Sequence, residues 1–214
     1  MFSNNPTVLI VHGAWHVPSH YRLLEKNLEQ RGFEVALPMH PTCNNANLPN
    51  KTLGDDLAHI RHVATGLVAK QKSVIVLMHS YSGVVGTGAL SGLMANPAKP
   101  DDGGIVAMVY MSALIPFEGE SLAGIFGGKL PPWLTPDEST GLIRVEDPAM
   151  HFYSDLSPSE QEHGIKEQVV HPITAQLSPI ASVSWREMSG RIWYLICEGD
   201  RGLPPFVQEM MIRD

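Results

Sequence analysis

The sequence predicts an α/β protein with a mostly parallel sheet flanked by helices. Three observations lead to this prediction: short continuous apolar runs, segments with helical spacing between them, and polar or glycine-containing turns where the runs end. Continuous apolar runs are typical of strands that are buried on both faces. Strands that alternate with helices form parallel sheets through right-handed crossovers. Ligands bind such sheets at the carboxyl ends of the strands.

The first half of the chain alternates between the two kinds of element. The apolar run Val8–Val11 predicts a strand, and Tyr21, Leu24 and Leu28 lie at the spacing of a helix that ends near Gln30. The remaining predicted elements are a strand at 33–37, a loop at 38–50, a helix at 53–68, a strand at 74–77, a helix at 83–93 and a strand at 105–111.

The pattern changes between residues 116 and 188. This segment is rich in proline and glycine and contains no long apolar run. A long insertion after a strand, at the ligand-binding edge of a sheet, is most simply a cap or lid. The alternative is a second small domain, which is less favoured because no clean linker flanks the segment. A strand follows at 191–197, and Pro204-Pro205 begins a last helix.

Composition limits the function classes. A chain of 214 residues predicts one domain, 1–214. The formal net charge of −7 argues against a nucleic-acid partner. Two cysteines form neither a disulfide framework nor a zinc spacing, so no metal is expected. No apolar run reaches membrane-spanning length and no signal peptide is visible. We therefore expect a cytoplasmic enzyme with a small-molecule substrate and no membrane partner.

Ser80 is the candidate nucleophile. The apolar run Val74–Leu77 leads into it, and the small residues Gly83 and Gly86 follow, which suits a helix packed closely on the strand. A sharp strand-to-helix turn of this kind exposes a serine above the sheet. Met78 is larger than the glycine usual two positions before such a serine. The alternative is therefore an ordinary turn in which the serine caps the helix.

Three windows together resemble the α/β-hydrolase superfamily, in particular the methylesterase and hydroxynitrile-lyase group with its fungal and bacterial relatives. The windows are Val11–His16, Met78–Gly83 and Cys197–Pro204. The resemblance implies an α/β-hydrolase fold with residues 116–188 as the cap. It also implies Ser80 as nucleophile, the backbone N–H groups of Ala14 and Tyr81 as the oxyanion hole, and Asp200 as the triad acid, with Glu198 as the alternative acid.

The superfamily orders its triad as serine, acid and then histidine, whereas this chain has no histidine after His171. The resemblance therefore implies an incomplete triad and the lack of the last strand–helix unit. Three interpretations stay open: a truncated inactive chain, a histidine from elsewhere, or chemistry without a Ser–His base. His171 in the predicted cap is the best substitute candidate and His16 a weaker one. A neighbouring subunit could also supply the missing strand, which would make a homodimer.

Lyase members of the group carry a threonine just before the first oxyanion donor, where this chain has Gly13. That difference favours ester hydrolysis. We expect Gly13, Trp15, His16 and Trp133 to contact a small apolar or aromatic ester, with no cofactor. The alternative function is a catalytically incomplete protein that binds a small molecule or promotes lyase or cyclisation chemistry.

Overall fold

The computed structural model describes residues 5–46 and 48–212. Its strands, in chain order, are β1 (Thr7–Val11), β2 (Glu34–Ala36), β3 (Ser73–Ser80), β4 (Gly104–Ala113), β5 (Leu134–Asp137), β6 (Leu142–Val145) and β7 (Ile192–Leu195). Five of them form a parallel sheet in the order β2-β1-β3-β4-β7. The predicted α/β class with a parallel sheet is confirmed.

The helices are α1 (Arg22–Glu29), α2 (Leu53–Ala69), α3 (Ser82–Ala89), α4 (Leu122–Ile125), α5 (Pro148–Phe152), α6 (Pro158–Lys166), α7 (Ile173–Leu177) and α8 (Pro205–Met210). The first predicted helix begins as a 3₁₀ turn over Pro18–Tyr21 before α1. Helix α2 has a capping box: the Asp55 backbone N–H donates to the Thr52 hydroxyl, and the Asp55 carboxylate accepts from the Thr52 backbone.

The core lies on both faces of the sheet. Every residue of β1 is buried, and its side chains alternate between the two faces. Leu9 and Val11 pack into a cluster with α2 and α3, whereas Val8 and Ile10 pack with Tyr21 on the side of α1. This burial on both faces explains why the strand is a continuous apolar run.

Helix α3 lies very close to the sheet because its residues are small. A Cβ atom added to Gly83 would collide with the backbone of Leu114, and one added to Gly86 would collide with the Met78 side chain. The close approach fixes the start of α3 directly behind the end of β3, where Ser80 lies.

The segment between β4 and β7 contains α4 to α7 and an antiparallel hairpin of β5 and β6. This hairpin was not predicted, because the segment contains no long apolar run. Two hydrogen bonds connect this segment to the loop after β1. The Trp15 indole N–H donates to the Ile143 carbonyl, and the Val169 N–H donates to the Trp15 carbonyl. We call residues 116–188 the insertion.

Strand β7 forms one edge of the sheet within the described residues. Its Trp193 and Leu195 side chains are 51% and 48% exposed, in contrast to the buried strands β1 and β4. No helix in the described ranges combines the length and the apolar character needed to cross a membrane.

Candidate active site

A cleft lies between the carboxyl ends of the strands and the insertion. The sheet side contributes the loop after β1, the end of β3, the end of β4 and the loop after β7, and the insertion covers the other side. The cleft has a cavity volume of about 70 Å³. Eight of the residues that the sequence nominated line it: Gly13, Ala14, Trp15, His16, Ser80, Tyr81, Trp133 and Asp200. The alternative candidates Glu198 and His171 do not.

Ser80 ends β3 in a strained backbone conformation. Its φ is 58°, in the left-handed region that non-glycine residues rarely adopt. The pairing with β4 shifts register between His79 and Ser80, and the Leu114 N–H donates to the Ser80 carbonyl at 3.2 Å. Within the described residues the Ser80 hydroxyl forms no hydrogen bond. The turn therefore presents a free hydroxyl to the cleft.

Two backbone N–H groups beside Ser80 are also free. Neither the N–H of Ala14 nor that of Tyr81 donates a hydrogen bond to any residue in the part of the chain that the structure describes. Ala14 and Tyr81 are 2% and 1% exposed, so these donors are nearly cut off from water. Buried backbone donors are almost always paired. Two such donors at one cleft are suited to hold an oxyanion.

The His12 side chain fixes the loop that carries Ala14 through two hydrogen bonds. The His40 backbone N–H donates to His12 Nε2 at 2.9 Å, so the proton of the neutral ring is on Nδ1, which donates to the Gly13 carbonyl at 2.9 Å. Burial lowers the pKa of His12. The ring therefore stays neutral and keeps this hydrogen-bonding pattern at physiological pH.

Gly13 places this loop close to the end of β3. Its N–H donates to the Tyr21 hydroxyl at 2.8 Å, and that hydroxyl forms a hydrogen bond with His79 Nδ1 at 2.6 Å. A Cβ atom at Gly13 would lie 3.2 Å from His79 Nδ1 and 3.4 Å from the Ser80 Cβ. A larger residue would push the loop away from Ser80.

Tyr81 is anchored at its far end by a buried carboxylate. The Tyr81 hydroxyl donates to Asp56 Oδ2 at 2.8 Å, and Thr42 donates to the same carboxylate from its hydroxyl at 2.6 Å and its backbone N–H at 2.9 Å. Burial raises the pKa of Asp56 to about 6, although these three hydrogen bonds act in the opposite direction. The side chain that follows Ser80 in the sequence is thus fixed inside the core.

Asp200 lines the cleft and Glu198 does not. The Asp200 carboxylate accepts hydrogen bonds from the Ser112 hydroxyl at 2.5 Å and from the backbone N–H groups of Gly202 and Leu203, both at 2.8 Å. Glu198 is exposed to solvent. Of the two carboxylates that the sequence offers, only Asp200 lies at the cleft, and its role as the acid stays a prediction.

No histidine among the described residues hydrogen-bonds to Ser80 or to Asp200. His16 lines the cleft, but its Nδ1–H donates to the Ala14 carbonyl at 2.7 Å and its Nε2 accepts from the Tyr153 hydroxyl at 3.0 Å. Burial lowers the pKa of His16 to about 3. A neutral ring with both nitrogens engaged is poorly placed to take the Ser80 proton.

His171, the best substitute base by sequence, does not line the cleft. It is fully buried behind the site, with its ring 4.7 Å from that of Tyr81 and 5.2 Å from that of Trp15. Burial lowers the pKa of His171 to about 3. The geometry therefore assigns it a packing role, and the sequence-based suggestion of a catalytic role is not supported.

The wall opposite Ser80 is aromatic and aliphatic. The Trp133 ring meets the Phe152 ring edge-on at 5.5 Å, and Trp15 lies 5.9 Å from Phe152. The insertion adds further apolar side chains: Leu122, Phe126, Pro131 and Leu134. One polar side chain of the insertion, Gln176, also lines the cleft. The described residues contain no group of three or more histidine, cysteine, aspartate or glutamate side chains placed to hold a metal ion.

Comparison with known proteins identifies the family. The model of the family described as "Alpha/beta hydrolase family" matches residues 8–214. The chain belongs to the alpha/beta hydrolase family. An alpha/beta hydrolase of Aspergillus novofumigatus, nvfD, is 28% identical over 211 residues, which are 97% of this chain and 83% of that protein. A carbendazim hydrolyzing esterase of a Nocardioides species is 32% identical over 126 residues, which are 58% of this chain and 48% of that protein.

Solved structures show the same fold. An extracellular alpha/beta-hydrolase from a Paenibacillus species superimposes with a TM-score of 0.75 at 17% identity, covering 98% of this chain and 87% of that one. A methylesterase from Arabidopsis superimposes with a TM-score of 0.70 at 17% identity, covering 97% and 84%. The family resemblance inferred from the three sequence windows is confirmed.

This alpha/beta hydrolase has further cleft residues that the sequence did not reveal. Ser112, at the end of β4, has a φ of 42° and holds Asp200, and Gln176 belongs to the short helix α7. Ser112 directly follows the predicted strand at 105–111 but belongs to no motif that would single it out, and no local pattern marks Gln176. Trp15, with a φ of 61°, is a third non-glycine residue at the cleft in the left-handed region. Backbone strain therefore concentrates around the candidate site.

Proposed function

We propose that this alpha/beta hydrolase is a serine esterase that acts on small apolar or aromatic esters through an acyl-enzyme on Ser80. One observation carries the proposal. The free Ser80 hydroxyl and the free N–H groups of Ala14 and Tyr81 meet at one cleft. These groups have no partner within the described residues, and an ester carbonyl would supply the partner for the two donors.

The reaction would proceed in two halves. The Ser80 Oγ attacks the carbonyl carbon of the ester, and its proton passes to a base. The negative oxygen that forms accepts from the N–H groups of Ala14 and Tyr81, each worth roughly 3 kcal/mol. The C–O bond to the alcohol then breaks, and the alcohol leaves with the proton. Water attacks the acyl group on Ser80 and releases the carboxylic acid.

An imidazole is the base expected beside such a serine, with Asp200 orienting its ring. Asp200 is held for that task by Ser112 and two backbone N–H groups. Because no histidine of the described residues bonds to Asp200, free imidazole is a direct probe of the proton transfer. A small imidazole in the cleft could take the proton that a histidine side chain would otherwise take.

The aromatic wall supports an apolar or aromatic substrate. Trp15, Trp133 and Phe152 form a contiguous aromatic group, and apolar pockets with few polar groups bind apolar ligands. The names of two relatives agree with ester chemistry: a carbendazim hydrolyzing esterase and a methylesterase.

The test is labelling with a fluorophosphonate, read by intact mass, with and without added imidazole. We expect one label on Ser80 and none on Ser80→Ala. Labelling without imidazole means that the protein supplies its own base. Labelling only with imidazole means that Ser80 is a competent nucleophile that lacks one. A folded protein that is unlabelled in both conditions refutes the proposal. Ester binding without turnover would then favour a binding or lyase role.

A further inference from the structure

Among the described residues, two histidines line the cleft that contains Ser80, namely His16 and His79. Both ring nitrogens of His16 form hydrogen bonds, whereas the His79 ring forms one, through Nδ1. The His79 Nε2 atom has no hydrogen-bond partner within the described ranges. It also keeps accessible surface, in contrast to the buried unpaired nitrogens of His40 and His171. His79 is therefore the histidine of the cleft that has a nitrogen free to exchange a proton.

His79 and Ser80 are neighbours on β3 and lie at the same cleft. Along a regular strand, side chains of successive residues point to opposite faces. This regularity ends here, because the pairing with β4 shifts register between the two residues and Ser80 has a φ of 58°. A Cβ atom on Gly13 would lie 3.2 Å from His79 Nδ1 and 3.4 Å from the Ser80 Cβ. The imidazole ring and the serine side chain therefore flank the same glycine.

Asp200 acts on the His79 ring through its charge. The two residues line the cleft together, and both also border a neighbouring cavity of about 290 Å³. Burial lowers the pKa of His79, and the negative charge of Asp200 acts in the opposite direction. The carboxylate therefore offsets part of the cost of protonating this half-buried ring.

Tyr21 holds the other nitrogen of the ring. Its hydroxyl oxygen accepts from the Gly13 N–H at 2.8 Å and forms a hydrogen bond with His79 Nδ1 at 2.6 Å. A hydroxyl oxygen has two acceptor positions, so it can accept from the Gly13 N–H and from an Nδ1–H group together. Tyr21 also borders a cavity of about 660 Å³, where water can accept its hydroxyl proton. With the ring proton on Nδ1, Nε2 keeps its lone pair and can act as a base.

We propose that His79 is the general base of the site and takes the Ser80 proton through one water molecule. The proposal rests on the esterase function and names the base that this function requires. A relay through one water is within the reach of a general base, and His79 and Ser80 form no direct hydrogen bond.

The proton movements balance in both halves of the reaction. As the Ser80 Oγ attacks the ester carbon, its proton passes to the water, and a proton of that water passes to Nε2. The imidazolium returns a proton to the alcohol as the C–O bond breaks. In the second half, the ring takes a proton from the water that attacks the acyl group and returns it to the Ser80 Oγ.

Fluorophosphonate labelling of the wild-type protein, followed over time by intact mass, is the first test. Because the base is part of the protein, labelling should proceed at neutral pH without imidazole. Added imidazole should raise the rate by less than about twofold. A wild-type protein that labels only with imidazole overturns the proposal. This result needs no substitution, so it decides the matter even where a variant at His79 does not fold.

His79→Asn separates the base from the contact with Tyr21. The asparagine amide lies near the position of Nδ1 and can keep the hydrogen bond to Tyr21, but it has no group in place of Nε2. Labelling without imidazole should be at least about 100-fold slower than in the wild type, and imidazole should restore most of the lost rate. A loss that imidazole does not restore means a structural role, and an unchanged rate means another base. Either result overturns the proposal.

His151→Asn is the matched control. His151 borders the cavity beside Asp200 but does not line the cleft, and its Nδ1 forms a hydrogen bond with the Arg201 carbonyl at 3.3 Å. The variant should label at the wild-type rate without imidazole. If His151→Asn loses this labelling and His79→Asn keeps it, the base is His151 and the proposal fails.

The two proposals fail separately. Labelling of Ser80 that does not depend on His79 keeps the esterase and removes His79 as its base. A folded wild-type protein that is unlabelled with and without imidazole removes the esterase, and the role of His79 with it.

Discussion

Replacing Asp56 with asparagine removes a charge that the fold keeps away from water. Asp56 is fully buried, and its carboxylate holds the hydroxyl of Tyr81 and both donors of Thr42. Asparagine has nearly the same shape. Its carbonyl can keep the Thr42 N–H, and its NH₂ group can donate to the two hydroxyls, which can turn and accept. The substitution therefore changes the charge with little change in packing.

The size of the effect follows from the pKa. Burial raises the pKa of Asp56 from 3.8 to about 6, which corresponds to about 3 kcal/mol. Between these two pH values the folded protein holds a proton that the unfolded chain has released. The free energy of unfolding therefore falls as the pH rises through this window. The contribution of Asp56 to stability is fully present below pH 3.8 and is lost above about pH 6.

The assay is urea denaturation of both proteins from about pH 4.5 to about pH 7.5, followed by tryptophan fluorescence. We expect the unfolding free energy of Asp56→Asn, relative to the wild type, to rise by about 2 kcal/mol across this range. Taking the difference cancels the titration of the other carboxylates. A difference that stays flat would refute the reasoning, since Asp56 would then titrate alike in both states.

Asp55 provides a control, because its pKa is shifted in the opposite direction to that of Asp56. Hydrogen bonds from Thr52 lower the pKa of Asp55, which lies at the start of α2. The stability that Asp55 contributes is therefore present above its ordinary pKa and is lost as the pH falls. Asp55→Asn should become less stable relative to the wild type as the pH rises, opposite to Asp56→Asn.

Two further predictions concern the turn that presents Ser80. Gly83→Ala should lower the unfolding free energy by about 3 kcal/mol, because its new Cβ would meet the Leu114 carbonyl. Gly66→Ala, whose Cβ meets nothing within 4 Å, should instead raise it by about 0.5–1 kcal/mol; equal effects would contradict the packing argument. Ser82→Ala should lower the unfolding free energy, measured by urea denaturation, by about 1–3 kcal/mol, because the buried Ser82 hydroxyl donates to the Val11 carbonyl. No loss would mean that this hydrogen bond is dispensable.

The sheet could be predicted because burial on both faces leaves a continuous apolar signature. Strands β1 and β4 have it, and both lie inside the sheet. The hairpin of β5 and β6 lacks this signature. Its strands have four residues each, and one contains Pro136. It forms through burial of Leu134 and Ile143 in the main core, a tertiary effect that a local pattern does not contain.

The site could be predicted where residues follow strands directly. Ala14, Ser80 and Asp200 lie just beyond or at strand ends, and parallel strands bring those ends to one edge. Ser112 follows the same rule, because it lies one residue beyond the predicted strand at 105–111, but a lone serine there matches no motif that would single it out. Gln176 does not follow it, because only the folding of the insertion brings α7 to the cleft.

The two sides of the cleft contribute different kinds of residues. The sheet side holds Ser80, the two free N–H groups and Asp200, fixed by strained backbone and by buried hydrogen bonds. The insertion side supplies the apolar wall and one unpaired amide, Gln176. Reactivity toward a fluorophosphonate should therefore depend on the sheet side, whereas discrimination between esters should depend on the insertion. Because α7 is short and separate from the strand ends, selectivity can change there while the geometry around Ser80 is retained.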